Sequence, residues 1–73
     1  MFIFKAGTKV YGYTYTDMGA VRVTGLVVSR TNDPEEYIQD YIIRQDDGVI
    51  VYCDEQEVWQ IGYGPERDRG ELK

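Results

Sequence analysis

Tyr41-Ile42-Ile43-Arg44-Gln45-Asp46-Asp47-Gly48-Val49-Ile50-Val51-Tyr52-Cys53 decides the fold of this chain. Two runs rich in β-branched and aromatic residues flank an Asp-Asp-Gly segment, the pattern of a β-hairpin. A two-residue Asp47-Gly48 turn would pair Ile43 with Tyr52 and Arg44 with Val51, mixing polar and apolar side chains on one face. A three-residue Asp46-Asp47-Gly48 loop instead pairs Gln45 with Val49, Ile43 with Val51 and Tyr41 with Cys53. That register gathers Tyr41, Ile43, Val49, Val51 and Cys53 on one face and places Gly48 in the left-handed position of a bulged turn. The second register is the one expected.

Working outward, Lys9 to Thr16 alternates aromatic and small residues and reads as a strand. Tyr11, Tyr13 and Tyr15 fall on one face, and Val10, Gly12 and Thr14 on the other. Asp17 to Ala20 reads as a loop, and Val21 to Ser29 as a β-branched second strand with a bulge or bend at Gly25. Thr31-Asn32-Asp33-Pro34 is a turn signal. Asp33 as cap and Pro34 in the first position predict one helical turn through Tyr37. Strand resumes at Asp40. Asp54 to Glu57 is a turn with 3₁₀ character, and Val58 to Ile61 a last short strand. Residues 1–61 thus form one domain. Gly62 to Lys73 lacks apolar periodicity and reads as a disordered, charged tail.

Seventy-three residues make one small domain that buries about 60% of its unfolded surface. The lone Cys53 can form no internal disulfide, which argues against a disulfide-stapled secreted scaffold. The chain has no histidine, removing the commonest general base and a common metal ligand. No apolar run approaches the ~20 residues of a transmembrane helix, and no signal peptide is evident, so a soluble cytoplasmic protein is expected. Among the aromatics, Trp59 is expected to anchor the core. Cys53 is expected to face the core as a small hydrophobe without nucleophilic activity. Asp46-Asp47-Gly48 lacks the ligand spacing of a calcium loop. No metal, cofactor or catalytic residue is expected, and an enzyme is the least favoured class.

Net charge is −5, unevenly distributed. Lys5, Lys9, Arg22 and Arg30 stand against Asp17 in residues 1–30, a sum of +3. Nine acids stand against Arg44 alone in residues 31–57, a sum of −8. That segment would repel phosphate backbones and attract basic surfaces.

Phe4, Gly7 and Val10 at the entry, Gly25-Leu26-Val27-Val28, Tyr41-Ile42-Ile43, Asp47-Gly48-Val49 and Glu57-Val58 carry a resemblance to the broad Src-homology-3-like (SH3-like) barrel class, including Tudor-like and KOW-like members. The resemblance covers residues 2–61 and implies an all-β, five-stranded small barrel. The paired tryptophans and the proline-asparagine-tyrosine run of true SH3 domains are absent, so proline-rich-peptide binding is not implied. An Arg/Lys-rich RNA-binding loop is absent as well.

The expected function is a non-catalytic, protein-binding regulator. Tyr11, Tyr13 and Tyr15, with an acidic edge of Asp33, Glu35, Glu36, Asp54 and Glu55, would meet a larger partner with a basic surface. Its sharpest form, by analogy with phage-encoded regulators, is an inhibitor or modulator of a nucleic-acid-handling enzyme such as RNA polymerase or a nuclease. Two alternatives stand beside it. One is nucleic-acid binding through Lys5, Lys9, Arg22 and Arg30 interleaved with tyrosines. The other is a self-assembling structural subunit.

Overall fold

The computed structural model describes residues 4–65, and the expected tail lies outside the described residues from residue 66 onward. The described chain is all-β: strands β1 (Lys9–Thr16), β2 (Gly19–Arg30), β3 (Asp40–Gln45), β4 (Ile50–Asp54) and β5 (Val58–Gln60), with a 3₁₀ turn at Glu55–Glu57 before β5. They form one antiparallel sheet in the order β4-β3-β2-β1-β5. β4 and β5 are its two edges and do not pair with each other, so the sheet is not a closed barrel.

The expected hairpin register is present. Tyr41 pairs with Cys53 and Ile43 with Val51. The Gln45 N–H donates to the Val49 oxygen at 2.9 Å, and Gly48 has a φ of 88°. Val49 departs from the expected face: it precedes β4, where the chain leaves the turn, and is 51% exposed. β1 has the expected bounds. β2 begins earlier than expected, because Asp17 and Met18 alone form the turn and Thr16 already pairs with Gly19.

The long β2 serves two neighbours. Its first part pairs with β1, its last part with β3, and Gly25 and Leu26 pair with both. Of the bulge or bend expected at Gly25, the bulge is not there. The register shift falls between Val27 and Ser29, and Gly25 instead permits close backbone contact: a Cβ there would collide with the Arg44 carbonyl. Pro34 to Tyr37 is likewise not a helical turn. The Asp33 side chain accepts from the Glu35 N–H at 2.9 Å and its carbonyl from the Glu36 N–H at 3.1 Å, closing a single turn that is not continued.

The core comprises Val10, Val23, Val27, Tyr41, Ile43, Cys53 and Val58, flanked by Phe4 and Val51. Phe4 tilts against Tyr41 with ring centroids 5.4 Å apart, and its N–H donates to the Tyr41 hydroxyl at 3.1 Å. The core face of β1 is therefore that of Val10 and Gly12. Gly12 is needed there because a Cβ would lie 2.7 Å from the Glu57 oxygen and 3.0 Å from Val58. Trp59 is not a member of this core, contrary to expectation. β5 pairs Gly12 with Val58 and Tyr11 with Trp59, so alternation that points Val58 inward sends Trp59 to the outer face. Among the described residues, no helix is long and apolar enough to cross a membrane.

Candidate protein-interaction surface

The tyrosine ladder of β1 divides into three environments. Tyr11 is buried, 1% exposed, although it faces away from the core. Its ring stacks on Trp59 at 5.5 Å, the Arg22 guanidinium lies 5.1 Å over it, and its hydroxyl donates to the Tyr63 oxygen at 2.6 Å. Tyr13 is half-buried and meets Trp59 edge-on at 6.2 Å. Tyr15 is 66% exposed, and its hydroxyl donates to the Glu57 carboxylate at 2.7 and 2.8 Å. That hydrogen bond, slight burial, and the charges of Glu57 and Asp54 raise the phenol's pKa. Tyr11 thus builds an outer aromatic layer, and Tyr15 is the rung that solvent reaches. Phe4, Trp59, Gln60 and Tyr63 line an apolar concavity of about 340 Å³ beside that layer.

The acidic edge is more compact than its spacing in sequence suggests. Asp33, Glu36 and Asp54 converge with Asp40, Thr31, Tyr37 and Ile38 around a groove of about 550 Å³. Tyr37 stands at it 98% exposed. Glu35 is exposed but lies outside this lining.

Gln39 holds the groove's loop in shape. It is 8% exposed, and both ends of its amide are engaged. Its Nε2 donates to the Asp33 and Glu36 carbonyls at 2.8 and 2.9 Å. Its Oε1 accepts from the Thr31 hydroxyl and the Asp33 N–H, each at 2.9 Å. Two donors and two acceptors are satisfied together, as burial of an amide requires.

Glu55 anchors the same loop from the 3₁₀ turn. One carboxylate oxygen accepts from the Gln39 N–H at 2.6 Å; the other accepts from Arg30 Nη2 at 2.9 Å and Nε at 3.2 Å. These bonds hold its carboxyl below the ordinary glutamate range, the Gln39 bond contributing most and Arg30 next. Glu55 therefore braces the expected acidic edge from inside, and its partner Arg30 is drawn out of the basic set of the first third. Lys9 and Arg22, by contrast, share the outer face of Tyr11 and Tyr13.

Sequence reasoning missed Gln39, Tyr37 and the Tyr63–Gly64 segment. Gly64 sits against the aromatic layer with a φ of 83°, where a Cβ would come within 2.6 Å of Trp59 and the Tyr11 hydroxyl. A lone glutamine between Ile38 and Asp40 gives no periodic signal. Only the polar loop ahead of it, rich in donors and acceptors, hinted that something must satisfy them.

Cys53 is buried, 1% exposed, as expected. Burial first, then the charges of Asp40 and Glu57, pushes its thiol up to about 11. No group of three or more His, Cys, Asp or Glu among the described residues is arranged to hold a metal ion. Comparison with family models, with curated proteins and with solved structures found no match.

Proposed function

We propose that this protein is a non-catalytic binding module whose acidic groove receives basic side chains of a larger protein. The observation that carries this reading is the convergence of Asp33, Glu36, Asp40 and Asp54 around one groove with Tyr37 at its rim. A carboxylate-lined cleft beside an exposed aromatic suits lysine or arginine, through charge and through cation–π contact. Tyr15, bonded to Glu57, extends the surface toward β1. Enzymes that handle nucleic acid carry basic surfaces of the kind such a groove fits. A regulator of that enzyme class is the specific form proposed, and a reducing, cytoplasmic setting suits the free Cys53.

The finer fold assignment, an SH3-like barrel, belongs to the same proposal. The β1-to-β4 meander, the 3₁₀ turn and the return of β5 beside β1 support it.

The test is affinity capture from lysate with the tagged protein at low and moderate salt. A variant with Asp33, Glu36, Asp40 and Asp54 all amidated would run in parallel. A basic protein lost by the variant and weakened by salt is the expected result. Equal capture by both proteins, or capture of no basic protein, overturns the reading.

A further inference from the structure

β4 is an edge of the sheet among the described residues, and its end shares Asp40 and Asp54 with the acidic groove. The Gln45 N–H to Val49 oxygen bond fixes which residues of the β3–β4 ladder are hydrogen-bonded pairs. Alternation from that bond turns the N–H and C=O groups of Ile50 and Tyr52, and the N–H of Asp54, away from β3 toward the open edge, while the Asp54 carbonyl caps the 3₁₀ turn. The same three side chains point to the outer face of the sheet, opposite Val51 and Cys53. Ile50 is 46% and Tyr52 54% exposed there. Among the described residues no strand pairs with this side of β4, and such an edge is a template for another strand.

We infer that this strand is a second copy of β4, antiparallel about a two-fold axis through Tyr52. Charge selects both the occupant and the register. With Tyr52 opposite Tyr52, Ile50 faces the partner copy's Asp54. Arg44, the β3 neighbour of Ile50, then points along the same row at that aspartate. The separation is two strand spacings, about 10 Å between Cα atoms, which the two side chains can span. Asp40, the β3 neighbour of Asp54, continues the row. Each half of the dimer thus sets Arg44, the only cation of residues 31–57, against Asp54 and Asp40 of the other. Moving the axis to Val51 keeps the backbone bonding of Ile50 and Tyr52 but sets Ile50, and Arg44 behind it, against the partner copy's Tyr52, with no carboxylate in the row. A symmetric, closed pairing is the commonest form of self-association. So short an edge buries far less than the roughly 1,200 Å² of a standard interface, so the dimer is weak.

Sedimentation equilibrium on the purified protein, up to about 1 mM, reads this surface without any other partner. The mass is expected to rise from monomer toward dimer. Arg44→Glu and Asp54→Arg, each shown folded by circular dichroism, should each weaken association by about tenfold. The double variant exchanges the charges and should restore it. Tyr52→Pro removes an outward N–H and should abolish it. A constant monomer mass overturns the inference, as does a dimer that all three single variants leave intact or a double variant no better than the single ones.

Discussion

The Tyr11 hydroxyl donates to the main-chain oxygen of Tyr63 at 2.6 Å, across 52 positions of sequence. The bond ties the segment after β5 to the middle of β1, over a ring already stacked on Trp59. Tyr11→Phe keeps the ring and deletes the bond. It is expected to cost about 1 kcal/mol, the net worth of one hydrogen bond. Tyr11→Ala, which also removes the stack, should cost about 3 kcal/mol or more. Urea unfolding followed by Trp59 fluorescence measures both. The Phe variant should also redshift the native emission as the Tyr63–Gly64 segment loosens over the indole. An unchanged midpoint in Tyr11→Phe shows that the bond contributes nothing.

Gln39 offers a separation of loop shape from loop charge. Gln39→Leu has similar bulk but removes the partner of the Asp33 N–H and of the Glu36 carbonyl, and one of the two donors to the Asp33 carbonyl. The expected loss is about 2 kcal/mol, since solvent can reach part of the loop and re-satisfy those groups. Amide exchange at Asp33 should quicken by more than that at Ile43, which sits in the core. Because all the groove's carboxylates remain, weakened capture of a basic partner by this variant would show that their arrangement matters as well as their charge. Uniformly faster exchange across the sheet would instead make Gln39 a global stabiliser.

Glu55 gives a pH dependence with a definite sign. Its carboxyl is held below the ordinary value of 4.5 by Gln39 and Arg30 in the folded state. A depressed folded pKa contributes stability that is present above the ordinary value and disappears as pH falls through the folded one. Glu55→Gln should therefore unfold at lower temperature than the parent at pH 7, and the gap should shrink as pH drops below 4.5. Thermal melts of both proteins between neutral and acidic pH give the comparison. A gap that stays constant with pH assigns the loss to packing rather than to charge.

The hairpin around Gly48 was legible because period-two alternation and turn chemistry agree there on one register. The acidic groove was legible in part. Its charges lie close in sequence, but their meeting depends on Gln39 and Glu55, whose partners are set by tertiary contact. Gly25 shows why a glycine inside a strand is ambiguous. A bulge and a close backbone approach both favour the missing Cβ, and only the position of the Arg44 backbone of β3 against Gly25 distinguishes them. Trp59 fails in another way. Size and apolarity argue for the core, but strand parity is set by Val58, and a sheet this small needs a covered outer face as well.

Cys53 joins core burial to chemical reactivity. It sits among valines and isoleucine with its thiol pushed up to about 11, so little thiolate exists near neutral pH. Only the thiolate reacts with alkylating agents. At pH 8 a thiol at about 11 holds roughly 100-fold less thiolate than one at the ordinary value of 9.0, and burial restricts access further. Native protein should thus be modified by iodoacetamide at least that much more slowly than protein unfolded in urea, with mass spectrometry following the adduct. Cys53→Ala tests the packing half of the argument. It removes one sulfur from a closed core and should cost about 1–2 kcal/mol. Rapid native-state alkylation at pH 8 would mean that the β3–β4 hairpin opens far more readily than its paired register implies.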